Sequence, residues 1–355
     1  MGFFNDIINQ LLNEGHTVDI ACNEVESNRL DFYRQLNCNI YKISTSRSPF
    51  SFGNIKAVKQ LKKIVNENNY DVVHCHTPIA SFCARLACKK ARKKGAKVIY
   101  TAHGFHFYKG SSKLSWLIFY PIEKYLSKFT DVLVTINNED YNLALKKFKV
   151  KQIIHIKGVG IDIDKINQVN VNREEKKGQL NIDLNSKVII SVGELNSNKN
   201  HQVVIKALSK IEDKNIHYII AGEGYNYEYL KQLSNDLGLS DRVHLLGYRK
   251  DVVELLKICD IFCLPSYREG LSVALMEAMA SNLPCLVSNI RGNCDLIDEN
   301  GGRLFNPNSE SDCYEKLKGI LNCNLQDMAK YNANKIKEFS MQEVLPKTKK
   351  LYEKE

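Results

Sequence analysis

The sequence predicts two doubly wound α/β domains in tandem, and three observations lead there. The chain has 355 residues, of which 44% are hydrophobic and 25% charged. That is enough to bury full cores and too long for one compact domain of the usual size. Apolar runs of strand length alternate with helix-period segments along most of its length, the pattern of parallel sheets covered on both faces. Near the middle, between Gly158 and Gly178, the alternation gives way to a polar, glycine-punctuated stretch.

The first series of strands is read at HTVDIAC (16–22), NIYKI (39–43), YDVVHCH (70–76), KVIYTAH (97–103), DVLVTI (131–136) and QIIHI (152–156). The second is read at KVIISVG (187–193), IHYIIAG (216–222), RVHLLG (242–247), DIFCLP (260–265), PCLVSN (284–289) and GRLFN (302–306). Domain limits follow: a first domain over 1–160, a linker over 161–186, a second domain over 187–323, and a helical segment over 324–355 that returns to brace the first domain. Ligands of doubly wound sheets bind outside the carboxyl ends of the strands, so a cleft between the domains is the expected site.

One element is missing from the pattern. Chains of this kind open on a buried strand and a glycine turn, but here the helix pattern Phe3, Phe4, Ile7, Ile8, Leu11, Leu12 begins at once. The first strand of the first domain is therefore expected to be absent. Because that strand is normally central, its loss would leave two sheet edges with unpaired backbone groups.

Composition narrows the function classes. No apolar run reaches the ~18 residues of a membrane span, and the N-terminus lacks the basic start and cleavage site of a signal peptide. A cytoplasmic protein is expected. The 11 cysteines are scattered without CxxC pairs or zinc-like spacing, which reads as reduced core residues. Residues 1–150 hold 22 Lys/Arg against 12 Asp/Glu, and the remainder 28 against 28, so the net charge of +10 lies wholly in the first part. Much of it is Arg85, Lys89, Lys90, Arg92, Lys93, Lys94 and Lys97. This stretch is either a solvated helix face or a contact for anionic lipid at the inner face of the membrane. Nucleic acid is not an expected partner, because the basic residues lack aromatic interleaving or a recognised module.

The segment DIFCLPSYREGLSVALMEAMASNLP (260–284) carries the most chemistry. A buried strand ends at Pro265, a loop holds Arg268, Glu269 and Gly270, and a helix starts near Ser272. Gly270 lets the backbone approach a ligand, and the amides of Leu271 and Ser272 offer free donors and partial positive charge at the helix N-terminus. A diphosphate fits there. Glu269 suits sugar hydroxyls, and Glu277, two turns into the helix, suits a vicinal diol such as ribose, because carboxylates offer several acceptor sites.

Glu269 and Glu277 together resemble the E-x7-E motif of the family 4 glycosyltransferases. VGELNSNKNH (192–201), AGEG (221–224), VHLLGYRKD (243–251) and LPSYREGLS (264–272) occur in that family's order and approximate spacing. The resemblance implies the GT-B architecture of two Rossmann-like domains. It also implies a retaining transfer of a hexosyl group from a nucleotide diphosphate sugar, with uridine favoured as the base and no metal cofactor. The family's first C-terminal loop carries an Arg and then a Lys on the diphosphate. Lys199 matches the Lys, whereas Glu194 stands at the Arg position, with Arg268, Arg249 and Arg291 as candidate replacements. A GEL form of this loop is familiar in the exopolysaccharide and capsular polysaccharide subgroup, which the chain resembles most.

On that resemblance His103 matches the active-site histidine, and His103, Glu269 and Lys199 are the catalytic candidates. Gly193, Gly222, Gly224, Gly247, Tyr248, Arg268, Gly270, Leu271, Ser272 and Glu277 are the donor-side candidates. Gly104, Phe105 and His76 are placed on the acceptor side. A sugar or polyprenyl-linked glycan is the implied acceptor, and the segment 111–128, with Trp116 to Tyr120 beside scattered lysines, is a second candidate membrane contact. Two alternatives stay open: a non-catalytic nucleotide-sugar binder or assembly partner, and a nucleotide-sugar epimerase of the same architecture.

Overall fold

The computed structural model describes residues 4–24, 30–46, 48 and 51–353; Phe3 of the opening amphipathic pattern lies outside them. The chain divides into two compact units, Met1–Gly160 with Gln342–Glu355, and Ile161–Met341.

Unit 1 runs α1 (Asn5–Asn13), β1 (Ile20–Cys22), α2 (Asp31–Gln35), β2 (Ile40–Lys42), α3 (Phe52–Asn68), β3 (Val72–His76), α4 (Pro78–Ala87), α5 (Lys89–Lys93), β4 (Lys97–Ala102), α6 (Lys113–Leu126), β5 (Val132–Thr135), α7 (Asn138–Lys147) and β6 (Gln152–His155). Its strands form two parallel sheets: β1 pairs with β2, and β3-β4-β5-β6 follow in order. The Tyr70 hydroxyl, just before β3, donates to the Asp19 carboxylate, just before β1. On one face of the four-stranded sheet Tyr100, Ala102 and Leu133 pack on Leu61, Ala84, Ala87 and Phe107. On another, Ile99, Val132, Val134 and Ile156 meet Val344 and Leu351 from the end of the chain.

The basic stretch divides between core and surface. Arg85 is buried, its guanidinium forking onto Glu123 at 2.9 and 3.0 Å and lying 4.2 Å over the Tyr100 ring. A charge so enclosed is tolerable only because it is paired and hydrogen-bonded. Arg92 pairs with Asp131 at 2.9 Å. The surface share is therefore Lys90, Lys93 and Lys94, with Lys89 half-buried 3.8 Å over the Phe129 ring.

Unit 2 continues with α8 (Ile163–Gln168), α9 (Arg173–Gln179), β7 (Lys187–Val192), α10 (His201–Ser209), β8 (Ile216–Ala221), α11 (Tyr227–Asp236), β9 (Val243–Leu245), α12 (Val252–Ile258), β10 (Ile261–Leu264), α13 (Val273–Ala280), β11 (Cys285–Ser288), α14 (Asn293–Leu296), β12 (Gly302–Phe305), α15 (Glu310–Leu321) and α16 (Leu325–Lys335). Its six strands are all parallel in the order β12-β11-β10-β7-β8-β9. Ile189, Ile220, Ile261 and Leu286 from the strands meet Val204, Leu208 and Leu317 from the helices in a largely apolar core, in which the buried Ser191 hydroxyl is hydrogen-bonded to the Tyr218 hydroxyl and the Cys263 carbonyl.

The stretch 161–186 is not bare linker. It carries α8, which packs on α13, and α9, which packs on α12. Lys177 of α9 is buried and donates to the carbonyls of Leu184 (2.9 Å) and Ser186 (2.6 Å), which closes the stretch on itself, while Arg173 on Asp260 (2.7 Å) and Lys176 on Asp251 (2.6 Å) and Glu254 (2.5 Å) fasten it to the rest of the unit.

Candidate active site

In unit 2 the connections leave β7 towards β8 on one side and β10 towards β11 on the other. These adjacent strands are the topological switch point, where a doubly wound sheet opens a crevice at its carboxyl ends. Two loops begin there, 193–200 after β7 and 265–272 after β10. They are stitched together by backbone and amide contacts. The Tyr267 N–H donates to the Asn198 carbonyl at 2.8 Å, and Asn198 Nδ2 donates to the Arg268 carbonyl at 3.0 Å. Asn200, buried in a left-handed conformation, donates to the carbonyls of Pro265 (3.3 Å) and Pro307 (3.0 Å).

A third loop closes on the first. Gly193 N–H donates to the Ala221 carbonyl at 3.0 Å, and Gly222 N–H to the Gly247 carbonyl at 2.8 Å. A Cβ at Gly222 would lie 1.8 Å from the Gly193 carbonyl oxygen, and one at Gly224 would lie 2.3 Å from that of Leu195. No other residue type permits this approach. Gly247 sits at φ +64°, and Tyr248 beside it is 68% exposed.

The side chains these loops carry converge. Lys199 Nζ lies 2.8 Å from Glu269 Oε1, with the two side chains only 18% and 14% exposed. Lys199 crosses Gly193, where an added Cβ would meet its Cε at 3.1 Å. The carboxylate of Glu277, in the second turn of α13, has no hydrogen bond or ion pair among the described residues, and burial raises its pKa from the ordinary value. Ser272 caps α13, its hydroxyl accepting from the Leu275 N–H at 3.4 Å. Leu271 is buried beside it.

Two residues fasten the Glu269–Gly270 turn from behind. Arg291 Nε donates to the Glu269 carbonyl at 3.3 Å, and a Cβ at Gly292, φ +77°, would lie 1.9 Å from the Gly270 carbonyl oxygen. Sequence reasoning considered Arg291 only as a substitute cation and missed Gly292; the Arg-Gly pair after a strand was the available signal. Of the other cations, Arg249 is forked onto Asp251 at 2.8 and 2.5 Å. Arg268 is exposed on the loop with no carboxylate partner among the described residues, and Glu194 is exposed.

In unit 1 the carboxyl ends of β3 and β4 gather three imidazoles. His76 Nδ1 lies 3.2 Å from His103 Nε2. The His76 ring makes tilted contacts with Phe4 (centroids 4.3 Å) and His74 (4.2 Å). His74 is held on both nitrogens, Nδ1 against the Tyr352 hydroxyl at 2.6 Å and Nε2 against Thr101 Oγ1 at 2.8 Å. Burial pushes His74 down to about 3 and depresses His76 and His103 as well, so all three are neutral near pH 7. Gly104 follows at φ +143°. Phe105 is placed differently from the acceptor-side expectation: its ring is buried against Phe107 and Phe148, and its N–H donates to Asp140 at 3.0 Å. His106 stacks on Phe119.

Residues 172–337 match the Glycosyl transferases group 1 family, and residues 2–137 match the Glycosyl transferase 4-like family. A putative glycosyltransferase, EpsD, of Bacillus subtilis (strain 168) is 38% identical over 272 residues, covering 74% of this chain and 70% of the relative. The chain belongs to the family 4 glycosyltransferases. This glycosyltransferase is also 30% identical, over 96% of its own length and 90% of the relative's, to the UDP-Gal:α-D-GlcNAc-diphosphoundecaprenol α-1,3-galactosyltransferase of Escherichia coli. A crystal structure of Anabaena HepE in complex with UDP and glucose superposes with a TM-score of 0.79, at 17% identity, over 98% of this chain and 94% of the other. The glycosyltransferase thus has the GT-B fold with two Rossmann-like domains.

Proposed function

We propose that this glycosyltransferase moves a hexosyl group from a uridine diphosphate sugar to a sugar or polyprenyl-linked glycan, with retention, in surface polysaccharide biosynthesis. The observation that carries the reading is the Lys199–Glu269 pair at the switch point of unit 2, beside the N-terminus of α13 and the unpartnered Glu277. Lys199 and the first-turn amides of α13 offer positive charge to a diphosphate, Glu269 accepts from sugar hydroxyls, and Glu277 accepts from the ribose diol. The glycine contacts at Gly193, Gly222 and Gly224 keep this surface free of side chains, and Gly247 and Tyr248 flank the nucleobase. Arg268 supplies the second cation that Glu194 does not.

In the reaction the bond from the sugar C1 to the diphosphate oxygen breaks and a bond from C1 to the acceptor oxygen forms on the same face. The acceptor proton passes to the departing diphosphate oxygen. Charge on the leaving group is held by Lys199 and the helix amides, so no metal is required in this scheme. His103, with Gly104 and His76, belongs to the acceptor side, and Phe105 contributes there through its backbone alone.

The Escherichia coli relative is a UDP-Gal:α-D-GlcNAc-diphosphoundecaprenol galactosyltransferase, which supports the acceptor class and the donor base. A peripheral contact with the inner face of the membrane accords with such an acceptor. Leu114 (63% exposed) and Leu117 (73% exposed) project from α6 beside Lys113, and Lys90, Lys93 and Lys94 are exposed around α5. No helix among the described residues is long and apolar enough to cross a membrane.

The test uses the full chain, a panel of UDP-hexoses and an undecaprenyl-diphosphate-linked sugar, with EDTA present. Transfer that is lost in Lys199→Ala and Glu269→Ala is expected. Wild-type rates in either variant would overturn the site, isomerised donor without acceptor would identify an epimerase, and donor binding without any turnover would identify a non-catalytic binder.

A further inference from the structure

We infer that His76 is a positioning residue that fixes the tautomer of His103, so that His103 presents an unprotonated Nδ1 to the substrate. The inference rests on the reading of His103 as an active-site group. The geometry that carries it is the single contact between the rings, His76 Nδ1 to His103 Nε2 at 3.2 Å. Only one of those two nitrogens can carry the proton between them. Neutral imidazole favours the proton on Nε2. The observed pairing satisfies that preference in both rings at once: His103 Nε2–H donates to His76 Nδ1, and His76 keeps its own proton on Nε2. His103 Nδ1 makes no hydrogen bond among the described residues, and in this tautomer it is left as a lone pair, an acceptor for a sugar hydroxyl.

The surroundings of His76 are built to hold it in one orientation. The Phe4 and His74 rings both pack against it, tilted at 44° and 36°. His74 cannot rotate away, because the Tyr352 hydroxyl and Thr101 Oγ1 hold both its nitrogens. Tyr352, 278 residues from His74 in sequence, thereby ties the end of the chain to the orientation of His103 through the contacting, mutually tilted rings of His74 and His76. The titratable groups facing His76 are His74 and His103, with Tyr352 behind His74; no carboxylate among the described residues contacts the three rings to favour an imidazolium. A neutral, tautomer-locked His103 follows, as distinct from a proton-shuttling one.

The test is nitrogen NMR on the full chain with 15N-labelled histidine, the His103 signals being assigned by their loss in His103→Gln. At pH 7 the wild type is expected to show a pyrrole-type Nε2 and a pyridine-type Nδ1 at His103. His76→Phe keeps an aromatic ring against Phe4 and His74 and removes the acceptor; it should average the two His103 signals and lower kcat by about tenfold or more, with donor KM little changed. His76→Asn, whose amide oxygen replaces Nδ1, should restore both the signals and the rate. A wild-type His103 protonated on Nδ1, or signals unmoved in His76→Phe, would overturn the inference, as would failure of His76→Asn to restore them. If the signals behave as stated while no sugar is transferred, the reading of the function falls and the coupling of the two histidines stands.

Discussion

Lys199 Nζ and Glu269 Oε1 are 2.8 Å apart across the switch point of unit 2, although the residues lie 70 positions apart in the chain. The carboxylate holds the ammonium in place while using one of its three protons, which leaves two for phosphate oxygens. Truncating either residue removes charge stabilisation from the leaving group or its orientation. Lys199→Ala and Glu269→Ala are each expected to lower kcat by about 10²–10³-fold. Steady-state transfer kinetics check this.

Glu277 behaves differently because its carboxylate is unpartnered and partly desolvated. Glu277→Gln should raise the donor KM by about tenfold to a hundredfold, the worth of charge-assisted hydrogen bonds to a diol, with kcat less affected. The same change should stabilise the free protein near neutral pH. An acid whose folded pKa is raised opposes folding above that pKa and is neutral in both states below its ordinary range. The gain in melting temperature should therefore be present at pH 7 and vanish as the pH falls below the usual carboxylate values.

Buried histidines set the acid limit of the fold. Burial pushes His201 at the start of α10 and His74 down to about 3. Both are neutral when folded, whereas the unfolded chain takes up protons below about pH 6.5. Stability is fully present above that value and is lost as the pH falls towards 3, by about 2 kcal/mol for each such histidine at pH 5. Urea unfolding at pH 7 and pH 5 measures the difference, and His201→Asn should narrow it.

The surface of unit 1 is expected to bind anionic vesicles. Leu114→Ser with Leu117→Ser, and separately Lys90, Lys93 and Lys94 changed to Gln, should each reduce flotation with phosphatidylglycerol vesicles. The lysine effect should be about 1 kcal/mol per charge at low salt and fade at high salt. Flotation that ignores both sets of changes would remove this contact from the account.

Most of the fold was legible because strands buried on both faces read as unbroken apolar runs. Each of the twelve runs, from HTVDIAC to GRLFN, contains a strand. The segment after β10 was legible for a second reason: Gly270, Ser272 and the helix pattern that follows are local signals. What could not be read depends on contacts distant in sequence. Arg85 looked like part of a basic surface, and only Glu123, 38 residues on, makes it a core residue. The polar stretch 161–186 looked like linker, and only Asp260 and Glu254, 87 and 78 residues on from their partners Arg173 and Lys176, fix it in unit 2. His76 and His103, 27 residues apart, meet because β3 and β4 are neighbours in register. Arg291 and Gly292 reach the Glu269–Gly270 turn across 22 residues, a distance no local motif spans.

The measurement that tests the central claim most directly is the anomeric configuration of the product. Proton NMR of the glycan formed from an α-linked UDP-hexose and a polyprenyl-diphosphate-linked acceptor, in EDTA, reads it from the coupling constant at C1. The account predicts an α-linked product, formed about 10²–10³-fold more slowly by Lys199→Ala. A β-linked product, or α-linked product formed at an undiminished rate by Lys199→Ala, would contradict it.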